Sequence, residues 1–129
     1  MSPDSPPVDL NAPIFIIEDD VEQLSLFAAM VSELPYPLLT AVSGEHALEI
    51  LRTTVPALVI TDLVMQDVPG AQIVRYVRAD ERMERTKIII VTSYEPYVTP
   101  TDRQLADRVL IKPIKKPDLI QAVRELLGY

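Results

Sequence analysis

Short apolar runs that each end in polar or charged residues constrain the fold of this chain most strongly. Five such runs of four or five mostly apolar residues recur along the sequence, at 14–17, 38–42, 57–61, 87–91 and 108–111. Runs of this length between polar or turn residues are typical of strands buried on both faces of a sheet. Amphipathic stretches separate the runs, and this alternation predicts a parallel sheet covered by helices.

The amphipathic stretches carry apolar residues at helical spacing. Helices are predicted over 21–34, 43–53, 70–78 and 117–127. In the first of them, Val21 and Leu24 begin the apolar stripe. A fourth helix is restricted to 101–106, because Pro96 and Pro100 interrupt the helical pattern. Right-handed crossovers then predict an α/β fold: a flavodoxin-like (βα)5 doubly wound parallel sheet, strand order 2-1-3-4-5, with a short or irregular fourth helix.

Length and charge limit the class of protein. The 129 residues suit one domain: residues 1–12, rich in Ser, Pro and Asp, are predicted as a flexible N-terminal leader, and residues 13–129 as the folded domain. A net charge of -7 argues against a nucleic-acid-binding surface. The absence of cysteine excludes disulfides and thiolate metal sites. No apolar run approaches the ~20 residues that span a bilayer, so we expect no membrane contact and a cytoplasmic location.

Charged and hydroxyl side chains follow the predicted strands where each strand ends. Glu18 and Asp19 follow the first strand, Asp62 the third, Thr92 the fourth and Lys112 the fifth. Because parallel strands share one carboxyl edge, we expect these side chains to converge in the crevice where open α/β sheets bind ligands.

Three carboxylates at this edge imply a bound cation. Close carboxylates repel by roughly 1–4 kcal/mol per pair at ~4 Å. Mg²⁺ suits the site, because it prefers oxygen ligands and commonly bridges carboxylates to phosphate. Asp62 is then placed to attack phosphorus and form an acyl phosphate, with Lys112 and Thr92 holding phosphoryl oxygens.

Four segments in this order and at these spacings resemble the response-regulator receiver domains of two-component signalling. They are IFIIEDD at 14–20, VITDLVM at 59–65, IIIVTS at 88–93 and LIKPI at 110–114, within a resemblance that covers about 13–128. Gly70, eight residues after Asp62, belongs to the same pattern.

The resemblance implies a role for each matching residue. Asp62 is the expected phosphoacceptor. Glu18, Asp19, Asp62 and the backbone carbonyl of Val64 are the expected protein ligands of Mg²⁺. Thr92 is the expected switch hydroxyl, and Lys112 is expected to pair with the phosphate or with Asp62 and to precede a cis peptide bond to Pro113. The family accepts phosphoryl groups in signalling, so no enzyme activity is expected beyond self-phosphorylation and slow autodephosphorylation.

The chain departs from the family pattern at several positions. Val109 stands where an aromatic residue usually precedes the lysine by three positions, and Gln66 replaces the usual proline after Met65. Val64 and Tyr94, two residues past Asp62 and Thr92, flank the expected path of the hydrolytic water. Both are bulky and cannot guide a water well, which predicts a slowly decaying phosphoaspartate.

The resemblance also implies partners. A histidine kinase, a histidine phosphotransfer protein or a small phosphodonor is expected to supply the phosphoryl group. Leu26 and Met30, four residues apart and off the main apolar stripe, are candidates for a docking patch. The downstream effector, dimerisation, and the choice between a single-domain regulator and one part of a longer protein stay open.

Other charged residues are expected to be solvated. Asp20 and Asp67 are predicted as turn residues. Four arginines in and after the third helix are predicted to form a solvated face with Glu81 and Glu84; they are Arg75, Arg78, Arg82 and Arg85.

Three competing functions share parts of this pattern. An FMN carrier is disfavoured, since Glu18-Asp19-Asp20 would repel the flavin phosphate and no tryptophan is available for stacking. A phosphatase of the haloacid-dehalogenase type needs a second carboxylate two residues after the nucleophile, where this chain has Val64. The alternative that stays open is a degenerate receiver acting as a phosphorylation-independent interaction module.

Overall fold

The computed structural model describes residues 9–128, in which strands and helices alternate. The strands are β1 (Ile14–Ile17), β2 (Leu38–Ala41), β3 (Leu58–Asp62), β4 (Lys87–Thr92) and β5 (Arg108–Ile111). The helices are α1 (Val21–Val31), α2 (Gly44–Leu51), α3 (Gly70–Ala79), α4 (Pro100–Leu105) and α5 (Lys116–Leu127). Most of the predicted leader, residues 1–8, lies outside the described residues. No helix in the described part of the chain is long and apolar enough to cross a bilayer.

The five strands form one parallel sheet in the predicted order, β2-β1-β3-β4-β5. The register aligns the strand ends that carry the polar residues. Ile17 pairs with Thr61, so the positions that follow, Glu18 and Asp62, lie side by side at the carboxyl edge. Thr92 pairs with Ile111, so Lys112 comes directly after the last paired residue of β5.

The core is divided between the two faces of the sheet. Ile14 and Ile16 point to the face covered by α1 and α5, whereas Phe15 and Ile17 point to the face covered by α2 and α3. Each of the four side chains is at least 99% buried, and full burial of such a side chain contributes about 1.5–3 kcal/mol. The sheet is therefore a rigid platform for the residues at its edge.

The structure corrects one core residue predicted on α1. Val21 is 64% exposed and lies outside both core clusters, because it occupies the first position of the helix, at the carboxyl edge of the sheet. The buried stripe of α1 begins one turn later, at Leu24.

Helix α4 is short, as predicted, but Pro100 begins it rather than breaking it. Proline suits the first helical position, where its missing N–H has no partner to lose. The preceding Thr99 accepts a hydrogen bond from the Asp102 N–H at 3.0 Å through its hydroxyl, and the Asp102 carboxylate accepts one from the Thr99 N–H at 3.1 Å. This reciprocal cap fixes the start of the helix.

Candidate functional site

Lys112 is the centre of a buried ionic cluster at the carboxyl edge of the sheet. Its Nζ donates to Glu18 Oε1 at 2.7 Å and to Asp62 Oδ2 at 2.6 Å. The third acceptor is the side-chain oxygen of Gln23, in the first turn of α1. Because the Lys112 side chain is only 14% exposed, these contacts are little screened by solvent. The peptide bond from Lys112 to Pro113 is cis, as the sequence resemblance implied.

Burial and charge shift the pKa values of this cluster. Burial raises the pKa of Glu18, and the hydrogen bond and charge of Lys112 offset that rise only in part. Burial lowers the pKa of Lys112, but its hydrogen bonds to Asp62 and Glu18 outweigh burial and raise the pKa overall. Lys112 therefore stays protonated at neutral pH and presents a fixed positive charge to Asp62.

The Asp62 carboxylate is held at both oxygens. Oδ2 faces Lys112, and Oδ1 accepts a hydrogen bond from the Val64 N–H at 2.9 Å. The residue is 7% exposed, so the carboxylate is oriented by the protein with little access of bulk water. The backbone of Val64 thus lies beside Asp62, while its side chain is 58% exposed at the rim.

Asp19 and Thr92 lie at the same edge and have other hydrogen-bond partners. Asp19 Oδ2 accepts a hydrogen bond from the Gln66 N–H at 3.0 Å, which ties the loop after β1 to the loop after β3. The buried Thr92 hydroxyl accepts from the Tyr94 N–H at 3.3 Å. Among the described residues, neither side chain has a hydrogen bond to Asp62 or Lys112. Hydrogen bonds therefore join Lys112 to Glu18 and Asp62 but do not include the side chains of Asp19 and Thr92.

The donor chemistry of the edge fits Mg²⁺. Within residues 9–128, no three acidic or histidine side chains form a closed metal cage. Mg²⁺ rarely uses such a cage, because it keeps several waters and binds through one or two carboxylates plus phosphate. Three carboxylates, those of Glu18, Asp19 and Asp62, lie where strands end at this edge with the one ammonium group of Lys112, which leaves two negative charges for a cation to balance.

Asp67 has a structural role that the sequence interpretation missed. Although exposed, it accepts hydrogen bonds from the Gly44 and Glu45 N–H groups, at 3.0 and 2.8 Å, and so caps α2 from 22–23 residues away in sequence. Asp20 likewise caps α1, accepting from the Glu22 N–H at 3.0 Å. Both residues are solvated, as predicted, yet each also satisfies a helix terminus.

Asp67→Asn is expected to destabilise the protein at neutral pH but not in acid. Hydrogen bonds from the N–H groups of Glu45 and then Gly44 lower the pKa of Asp67. The carboxylate therefore stabilises the fold above its unfolded pKa of 3.8, and this contribution is lost as pH falls through the lower folded value. Urea titrations at neutral pH and well below pH 3.8 give the free energy of unfolding of the variant and of wild type. The difference between the two proteins should be largest at neutral pH.

Glu49→Gln is the matched control, because Glu49 is an exposed carboxylate on α2 itself. Its loss of stability relative to wild type should not depend on pH in this way. An Asp67→Asn deficit that is the same at both pH values would contradict the charge-dependent cap.

Known proteins with this fold were found by sequence and by structure. A family model described as "Response regulator receiver domain" matches residues 14–124. The polar-differentiation response regulator DivK of Brucella ovis is 24% identical over 119 residues, covering 89% of this chain and 95% of DivK. The response regulator TrrA of Thermotoga maritima, solved in complex with Mg²⁺-BeF, superposes with a TM-score of 0.81 at 27% identity, covering 90% of this chain and 99% of that one.

A CheY-like receiver domain from Methylobacillus flagellatus superposes with a TM-score of 0.82 at 23% identity, over 90% of this chain and 98% of that one. It supports the fold alone. The family match spans most of the chain and includes Glu18, Asp62, Thr92 and Lys112. This chain belongs to the response regulator receiver domain family.

Proposed function

We propose that this receiver domain accepts a phosphoryl group on Asp62, from a histidine kinase or histidine phosphotransfer protein, in a Mg²⁺-dependent reaction that switches partner binding. Receiver domains are phosphoacceptors of two-component signalling and bind Mg²⁺ at the phosphorylation site. The observation that carries the proposal for this chain is the buried contact of 2.6 Å between Asp62 Oδ2 and Lys112 Nζ, beside Glu18.

Each residue has a chemical role in the proposed transfer. A carboxylate oxygen of Asp62 forms the new bond to phosphorus as the bond to the donor's leaving group breaks. Lys112 balances the negative charge on the transferred phosphoryl oxygens. Thr92, whose hydroxyl lies at the end of the adjacent strand, is the proposed switch residue that donates to a phosphoryl oxygen.

Glu18, Asp19, Asp62 and the carbonyl of Val64 would hold the ion. When bound, Mg²⁺ neutralises charge between the carboxylates and the phosphoryl oxygens. The excess negative charge at the carboxyl edge supports this part of the proposal, because the single ammonium of Lys112 cannot balance the carboxylates of Glu18, Asp62 and the neighbouring Asp19.

The proposed docking patch on α1 needs one revision. Leu26 is 54% exposed, as expected of a docking residue, but Met30 is half-buried and packs against the core. We therefore propose that the kinase contacts Leu26, whereas Met30 packs against the core beneath α1.

Intact mass spectrometry after incubation with acetyl phosphate and Mg²⁺ tests the proposed function. The expected result is a gain of one phosphoryl group that EDTA prevents. If no adduct forms and the phosphoryl mimic beryllofluoride does not bind either, the chain is a phosphorylation-independent interaction module and the proposal is wrong.

Phosphoaspartate decay is expected to be slow and to be accelerated by Tyr94→Glu. Val64 and Tyr94 are 58% and 52% exposed at the rim, and neither side chain can accept a proton from the attacking water. A carboxylate at position 94 can orient that water, and we expect decay about 10-fold faster, below the ~100-fold that an aligned general base contributes. Decay is followed by loss of the phosphoryl mass after the donor is removed.

Tyr97→Glu is the matched control, since Tyr97 is 59% exposed and contacts Tyr94 edge to face at 4.7 Å between ring centroids. It should leave the decay rate unchanged. A wild-type adduct that is lost within seconds, or equal decay in Tyr94→Glu and wild type, would overturn the slow-hydrolysis prediction.

A further inference from the structure

Two residues of α1, Gln23 and Phe27, contact the Lys112 ammonium in addition to its carboxylate partners. The Gln23 side-chain oxygen accepts a hydrogen bond from Nζ, and the Phe27 ring lies one turn further along, with its centroid 5.8 Å from Nζ. Residues four apart lie on the same helix face, so both contacts come from one surface of α1. An ammonium over an aromatic ring is attracted by the ring's negative face.

The hydrogen bonds of Lys112 are complete only with Gln23. An ammonium has three N–H donors, and here they go to Glu18 Oε1, Asp62 Oδ2 and Gln23 Oε1. Because lysine only donates, the amide of Gln23 must present its oxygen rather than its nitrogen. Unlike Glu18, this acceptor is neutral, so it adds no negative charge to repel an incoming phosphate.

We infer that Gln23 is a positioning residue for phosphoryl transfer, which holds the Lys112 ammonium beside the Asp62 carboxylate, where it can balance charge on the incoming phosphoryl oxygens without lying between Asp62 and phosphorus. The inference deepens the proposed function and rests on it. Lysine has a flexible four-carbon stem, and phosphorylation converts its Asp62 partner into an acyl phosphate. Of the three acceptors of Lys112 Nζ, only Glu18 and Gln23 keep the same covalent structure before and after phosphoryl transfer.

Gln23→Met tests this role, because methionine has a similar length and volume but no amide oxygen. We expect the maximal rate constant for uptake from acetyl phosphate to fall about 10-fold to 100-fold, the cost of a misplaced group. The half-saturating donor concentration should not change. Gln104→Met, at an exposed position of α4, is the control and should behave as wild type.

Gln23→Glu separates positioning from a merely structural role. It keeps an acceptor for Nζ but adds a negative charge, so the maximal rate constant should stay close to wild type while the half-saturating donor concentration rises. Wild-type kinetics in Gln23→Met, or equal losses of maximal rate in both variants, would overturn the inference.

A readout on the protein alone distinguishes failure of this inference from failure of the proposed function. In ¹⁵N-labelled protein, the Lys112 Nζ protons should exchange slowly with water in wild type and faster in Gln23→Met. If wild type takes up no phosphoryl group, the proposed function fails, and the exchange measurement still decides whether Gln23 holds Lys112. Unchanged Nζ exchange in Gln23→Met would overturn the positioning role itself.

Discussion

Asp62→Asn is expected to abolish phosphoryl uptake from acetyl phosphate in the presence of Mg²⁺. The amide keeps the size of the side chain but replaces a charged nucleophilic oxygen with a group that cannot form the acyl phosphate. It also offers one acceptor oxygen where the native carboxylate serves both the Val64 N–H and Lys112 Nζ, so one of those contacts is lost. Intact mass, followed over time, measures the adduct.

Asp118→Asn, at an exposed position in the first turn of α5, is the matched control and should gain the phosphoryl mass at the wild-type rate. Thermal unfolding establishes that both variants are folded. An Asp62→Asn protein that gains one phosphoryl group as fast as wild type would mean that another residue is the acceptor.

Among substitutions that add one methyl group near the site, Gly70→Ala is expected to lower the free energy of unfolding the most. A Cβ at position 70 would lie 1.8 Å from the Asp62 carbonyl oxygen and 2.8 Å from the Leu63 Cα. Both are backbone atoms at the end of β3, held by the sheet and by the hydrogen bond from the Gly70 N–H to the Leu63 carbonyl at 2.9 Å. They cannot rotate away as a side chain would.

Relief of this clash requires α3 to move off the sheet or the Asp62 backbone to shift. We expect a loss at or above the upper end of the roughly 1–3 kcal/mol range for overpacking, together with weaker beryllofluoride binding. Urea unfolding measures the loss. Gln72→Ala, at an exposed position two residues further on the same helix, should stay within about 0.5 kcal/mol of wild type. Wild-type stability in Gly70→Ala would contradict the close approach.

The fold and strand order could be predicted from the sequence because local pattern and topology agree. The buried strands are nearly uninterrupted apolar runs, and each amphipathic stretch is long enough for one crossover helix. The strand order confirms the predicted topology. The proximity of Glu18 and Asp62 followed from the same logic, since the register that pairs Ile17 with Thr61 also brings these two residues side by side.

The sequence did not indicate contacts that depend on side-chain direction. Gln23 is one of two polar residues in the first turn of α1, and no spacing rule points it toward Lys112. The sequence also does not reveal that Asp67 caps α2, because the loop after β3 and the start of α2 meet only in the folded chain.

The predicted solvated arginine face was wrong at Arg78, whose side chain is only 21% exposed. Arg78 donates to the Leu105 carbonyl at 2.8 Å, the Thr86 carbonyl at 2.7 Å and the Asp107 carboxylate at 2.9 Å, so it joins α3 to both ends of the β4–α4 segment. Arg82 is exposed, as predicted, and it also donates to the Leu51 carbonyl at 3.0 Å, which satisfies the end of α2. Arginine donors reach distant backbone carbonyls that helical periodicity does not reveal.

The most direct test is to locate the phosphoryl group on the wild-type chain. Protein treated with acetyl phosphate and Mg²⁺ is reduced with borohydride, which converts an acyl phosphate of aspartate to homoserine, and the digested peptides are sequenced by mass spectrometry. Homoserine at position 62, absent when EDTA is added, is the predicted result. Aspartate recovered intact at position 62, or homoserine at any other position, would contradict the assignment of Asp62 as the phosphoacceptor.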